Sequence, residues 1–131
     1  QVKVEVGGAH RQKQRATLAI TASGTATMEC AFSRCPMIVV YKVNWLTYLV
    51  GRWLVTVGWL GMPNVIAGRE IVPEFIQHRA QPDRIAAIAG ELLRDSARRS
   101  AMQRELAIIV EKLGGAGASQ RAAELIVQEI G

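Results

Sequence analysis

Cysteine is nearly missing from this 131-residue chain, with only Cys30 and Cys35 present. Two cysteines cannot build a disulfide framework, and no second Cys/His pair stands at zinc-finger spacing, so a reducing, cytosolic setting is the default. Aromatic residues make up 5% of the chain, and there are 4 prolines and 12 glycines, which excludes collagen-like and low-complexity disordered classes. No P-loop, GxGxxG or GxSxG elbow is found. His10 and His78 stand alone without a ligand pattern, so no metal and no cofactor are expected. A basic-then-apolar leader and an initiator Met are also lacking. The chain opens at Gln1 and runs straight into Val2-Lys3-Val4-Glu5-Val6, a start that suggests a piece of something longer.

What is present fits one globular domain: 50% hydrophobic and 21% charged residues, enough to bury a real core at this length. The formal charge of +5 is unevenly placed. Residues 1–60 carry seven Lys or Arg against Glu5 and Glu29, whereas residues 61–131 carry nine basic and nine acidic side chains. A basic first half suggests an anionic partner such as a nucleotide, phospholipid or nucleic acid, or simply a solvated basic surface.

Val2 to Val6 alternates like a strand and stops at Gly7-Gly8. Ala9 to Arg15 reads as a short basic helix. Leu18-Ala19-Ile20 suits a buried parallel strand, Ser23 is placed to cap a helix over Ala26–Phe32, and Arg34-Cys35-Pro36 breaks it. Met37 to Tyr41 is a second β-branched strand. Strand, glycine turn, helix, strand is the βαβ pattern of a parallel α/β sheet, with fewer strands than a complete doubly wound domain has.

From Trp45 to Met62 the only charge is Arg52. Trp45, Leu49 and Trp53 recur on one helical face. The central Arg52, the glycines Gly51, Gly58 and Gly61, and Pro63-Asn64 argue against a membrane span. Core packing and an interfacial helix both fit. Ile71–His78 reads as a short helix with Pro73 in its first turn. Helices over Pro82–Asp95, Ala97–Leu113 and Ser119–Ile130 follow, giving an α/β part (1–80) and a helical tail (81–131) of a single, partial domain. The arginines Arg98, Arg99 and Arg104 are matched by Glu91, Asp95 and Glu105, an ordinary salt-laced surface.

Two clusters could carry chemistry. Ser23-Gly24-Thr25 lies between the C-terminal end of a parallel strand and a helix N-terminus, where free N–H groups attract phosphate and glycine allows close approach. A plain structural turn reads equally well. Glu29, one turn on, could accept from ribose hydroxyls, or simply be an exposed acid near the positive helix end. The second cluster is Asn64, Glu70, Glu74 and Gln77. On a helix, the last three would share one face, a set of acceptors and amides suited to a sugar, or a solvated polar face. Nothing sets two carboxyls across a bond as glycoside hydrolysis requires.

The runs Ala22-Ser23-Gly24-Thr25-Ala26-Thr27-Met28-Glu29, Pro36 to Asn44, and Met62-Pro63-Asn64 through Gly68-Arg69-Glu70 to Pro73-Glu74 with Gln77 resemble the lipid-A-disaccharide synthase family in order and spacing. The resemblance implies a Rossmann-like GT-B C-terminal domain of an inverting, metal-free glycosyltransferase. Such an enzyme moves 2,3-diacylglucosamine from UDP to 2,3-diacylglucosamine 1-phosphate (lipid X). Ser23, Gly24 and Thr25 would face the pyrophosphate and Glu29 the ribose. Asn64, Glu70, Glu74 and Gln77 would line the donor pocket, with Tyr41 and Lys42 nearby. The general base and acceptor site would belong to an N-terminal domain, so no catalytic residue is expected here and the segment alone should be inactive. The family usually has Pro at the Trp45 position, Asp at Thr17, and often a basic residue at Trp53.

Both substrates carry acyl chains. Trp45, Arg52, Trp53 and Trp59 are therefore candidates for a face lying on the anionic, cytoplasmic side of the inner membrane, with no nucleic acid partner. The tail helices could also pack on a partner chain, and a homodimer stays open. The rival reading is a non-catalytic basic module that binds nucleic acid or an anionic membrane surface, although its basic residues are not interleaved with stacking aromatics.

Overall fold

The computed structural model describes residues 9–42 and 58–114 of the chain. The expected Val2–Val6 strand, the stretch holding Trp45, Arg52 and Trp53, and the expected Ser119–Ile130 helix lie outside these residues.

The first described helix, α1 (Ala9–Arg15), carries Lys13 and Arg15 in its last turn, where the helix dipole favours cations. It leads into β1 (Ala19–Ala22), α2 (Thr25–Phe32) and β2 (Met37–Tyr41). This is the βαβ unit that the alternation of apolar runs and glycine turn predicts. β1 and β2 pair in parallel, with Ala19 beside Met37 and Ala22 beside Val40. In β2, Met37, Ile38 and Val39 are successive and all at most 1% exposed. Both faces of this strand are therefore covered, as in the middle of a parallel sheet.

The third strand is not where the sequence suggests. Ile71–His78 forms no α-helix: Glu74–Ile76 is β3, and Gln77–Arg79 is a single 3-10 turn. β3 pairs in parallel with β2, Val39 beside Glu74 and Tyr41 beside Ile76, giving the order β1-β2-β3. Backbone pairing outweighs helical spacing here, because the Val39 N–H already bonds the Pro73 carbonyl at 2.9 Å and draws the chain alongside β2. Glu70, Glu74 and Gln77 consequently do not share a helical face.

Before β3 comes α3 (Met62–Ala67), which starts at Gly61 with Pro63 in its first turn and ends at Gly68 in the left-handed region. Two long helices close the described part, α4 (Pro82–Arg94) and α5 (Ser96–Lys112), within about a residue of the expected bounds. Leu92 of α4 and Met102 and Leu106 of α5 join Cys30, Ala31, Met37, Ile38 and Val72 in one core. The Sδ atom of Met102 accepts the Met37 N–H at 3.4 Å, which ties the tail helices to the start of the central strand. The architecture is α/β: a partial Rossmann-like parallel sheet with flanking helices and a helical C-terminal portion.

Candidate functional site

All three strands run the same way, so their C-terminal ends form one rim, the edge where open α/β sheets bind ligands. Ser23 and Gly24 follow β1, Tyr41 and Lys42 end and follow β2, and Gln77 follows β3. The fold thus gathers five of the expected residues on one edge. Tyr41 and Gln77 are half-buried and Lys42 is exposed. Gln77 has φ 51°, an uncommon left-handed conformation for a side-chain-bearing residue, and it opens the 3-10 turn that follows β3.

Gly24 is the N-cap of α2, with φ 134° and ψ −157° and no side-chain cap. That backbone conformation is essentially restricted to glycine, and the space beside its Cα is open, with no atom within 4 Å of where a Cβ would stand. The Ser23 hydroxyl does not cap the helix, as the sequence suggests; it donates to the Leu60 carbonyl at 2.8 Å. Thr27 turns inward instead, its hydroxyl donating to the Gly24 carbonyl at 2.6 Å. The Thr27 N–H bonds the Gly24 carbonyl at 3.1 Å, while the N–H groups of Thr25 and Ala26 open the helix with no side-chain cap, where helix geometry supplies no intrahelical acceptor. Together with the helix dipole they make an anion-accepting turn.

Glu29, one turn further along α2, is exposed and forms an ion pair with Lys13 of α1. Lys13 is the residue that motif reading misses. Its only sequence signal is the basic character of Ala9–Arg15, and folding places that cation against the acid proposed for ribose.

Asn64 and Glu74 meet, but inside the protein. Asn64 is fully buried. Its Nδ2 donates to the Val72 carbonyl and to Glu74 Oε1, both at 2.8 Å, and its Oδ1 accepts the N–H groups of Ile71 (2.7 Å) and Val72 (2.9 Å). Glu74 Oε1 also accepts the Gly61 N–H at 2.8 Å, and Oε2 the Leu60 N–H at 3.0 Å. Glu70 is exposed on the loop before β3. It lines a groove of about 750 Å³ between β3 and helices α4 and α5, together with Glu74, Arg69, Phe75, Arg84 and Glu105. There the Arg69 guanidinium donates to Glu105 at 2.6 Å. That hydrogen bond holds the Glu105 carboxyl below the usual range.

Trp59, the one described member of the proposed membrane face, is half-buried. Among the described residues no helix is long and apolar enough to cross a membrane. No group of three or more His, Cys, Asp or Glu could hold a metal ion there.

A family model described as lipid-A-disaccharide synthetase matches residues 3–130. Curated relatives carry the name lipid-A-disaccharide synthase. The one from Syntrophus aciditrophicus is 43% identical over 122 residues, covering 93% of this chain and 32% of the relative. The Geobacter sulfurreducens relative is 45% identical over 112 residues, 86% of this chain and 29% of its own length. That of Nitrosococcus oceani is 47% identical over 108 residues, with 82% and 28% covered. The chain thus spans about a third of the length of these relatives. With a match running nearly end to end over a parallel α/β frame, the chain belongs to the lipid-A-disaccharide synthetase family.

Proposed function

We propose that this segment holds the sugar-nucleotide donor of a lipid A-forming glycosyltransferase. The enzyme moves 2,3-diacylglucosamine from UDP to 2,3-diacylglucosamine 1-phosphate, forming the disaccharide and releasing UDP. The observation that carries the reading is the Ser23–Thr25 turn: a glycine at φ 134° with open space beside it, on the C-terminal rim of a parallel sheet, opening a helix with no side-chain cap. Main-chain N–H groups and the positive helix end receive the diphosphate. Glu29 accepts from the ribose hydroxyls, and its ion pair with Lys13 holds the carboxylate in place. Tyr41, Lys42 and Gln77 border the same crevice. Glu70 stands further off, towards the opposite end of β3. The general base and the acceptor site come from the rest of the protein, and the segment alone turns nothing over.

Because both substrates carry acyl chains, the enzyme works at the cytoplasmic surface of the inner membrane, and a basic, tryptophan-bearing face rests on it. A homodimer is compatible with this arrangement.

The test is nucleotide titration of the full-length protein by calorimetry. UDP binds, UMP binds at least about tenfold more weakly for want of the second phosphate, and Gly24→Ala, which cannot hold φ 134° without strain, loses UDP affinity by a similar factor. Equal affinity for UDP and UMP, or an unaffected G24A variant, would remove the diphosphate from this turn.

A further inference from the structure

Glu74 lies in a chain of contacts that reaches the proposed phosphate turn, with both its carboxylate oxygens engaged by protein donors. Three donors converge on its two oxygens: the Leu60 N–H, the Gly61 N–H and the Asn64 amide, at 3.0, 2.8 and 2.8 Å. On its other side, Leu60 accepts the Ser23 hydroxyl at 2.8 Å. Ser23, the 60–61 turn, α3 and the start of β3 are thus fastened through one acidic side chain. A carboxylate suits this position because it is acceptor-only; a glutamine would turn an NH₂ group towards main-chain donors.

Gly61 completes the device. Its backbone, at φ −73° and ψ 123°, is open to any residue. The constraint is space, since a Cβ there would stand 2.5 Å from Glu74 Oε1 and 3.3 Å from Val39 Cγ2. Positions 61 and 74 are therefore coupled: the glycine admits the carboxylate, and the carboxylate anchors the glycine's N–H.

We propose that Glu74 is a positioning residue for donor binding. It holds the 60–61 turn so that the turn, through the Ser23 hydroxyl, fixes the main chain that receives the diphosphate. This rests on the donor-site reading above. It also separates Glu74 from Glu29: the former acts through the backbone, the latter touches the nucleotide.

The experiment uses the full-length protein with Glu74→Gln, Gly61→Ala and the double variant Gly61→Ala/Glu74→Asp, whose shorter acid leaves room for the methyl group. Each single variant is expected to raise the donor KM and the UDP Kd roughly tenfold, with the acceptor KM unmoved. The double variant should bind UDP more tightly than Gly61→Ala alone, a rescue that general loosening of the fold would not produce. A folded Glu74→Gln protein with wild-type donor KM would overturn the positioning role, as would a double variant no better than Gly61→Ala. Should the variants not fold, amide exchange of the wild type decides. The Leu60 and Gly61 amides should be protected, and more so with UDP; free exchange in both states overturns the proposal. Absence of UDP binding by the wild type would instead overturn the donor-site reading, and this inference with it.

Discussion

Arg34 holds φ 51° just past the end of α2. Its N–H bonds the Ala31 carbonyl and the Cys35 N–H bonds the Cys30 carbonyl, both at 2.9 Å. This is a Schellman closure with an arginine where glycine is usually found. A side-chain-bearing residue in this conformation costs about 1–2 kcal/mol, part of which glycine would return as extra freedom in the unfolded chain. Arg34→Gly is therefore expected to stabilise the protein by up to about 1 kcal/mol, read as a higher urea midpoint at unchanged slope. In the sequence, Arg34-Cys35-Pro36 is legible as a helix stop, but the means of stopping is not, since no glycine announces it. Asn64 shows the same limit. An amide near two carboxylates suggests a sugar pocket, and only packing reveals that all four of its hydrogen bonds are spent on Val72, Ile71 and Glu74.

Among the elements, those written by strong periodicity were legible: β1, α2, β2, α4 and α5 all stand within a few residues of where the pattern puts them. β3 was not, because three residues beginning with a glutamate carry no alternation, and their strand character comes from pairing with β2 rather than from propensity. α3 was hidden for a related reason. Gly61 and Pro63 read as punctuation closing an apolar run, whereas they serve as the N-cap and first-turn proline of a new helix. The corner between α4 and α5 shows how a terminus is built. Asp95 ends the first helix, and its carboxylate accepts the Arg98 N–H at 2.9 Å to begin the second. The Arg99 guanidinium donates to the last carbonyls of α4, those of Leu92 and Leu93, at 2.5 and 2.6 Å. Asp95→Ala is expected to cost about 1 kcal/mol, the usual worth of an N-cap, measured as a lowered thermal midpoint. Asp95→Asn, which keeps the accepting oxygen, should recover most of it.

At the scale of the whole molecule, the core itself makes folding sensitive to alkali. Cys30 and Cys35 are both free and buried, at 0% and 2% exposed. Burial penalises the thiolate and pushes the Cys35 thiol from 9.0 up to about 11, with the neighbouring Cys30 thiol adding to the effect. Cys30 is raised as well, again chiefly by desolvation. The native state therefore keeps protons that the unfolded chain begins to release near pH 9. Their contribution to stability is fully present below that pH and is lost as the pH climbs towards about 11. For Cys35 the loss is on the order of 2 kcal/mol across that window. The comparison that isolates the thiol is the difference between wild type and Cys35→Ala. Between pH 8 and 11 the wild-type unfolding free energy should fall more steeply than that of the variant, by roughly this amount. Parallel profiles would mean that ionisation at Cys35 is not coupled to the core. Below pH 8 the two profiles should run parallel, the variant lower by the volume and weak S–H contacts to the Ala16 and Pro36 carbonyls that it gives up.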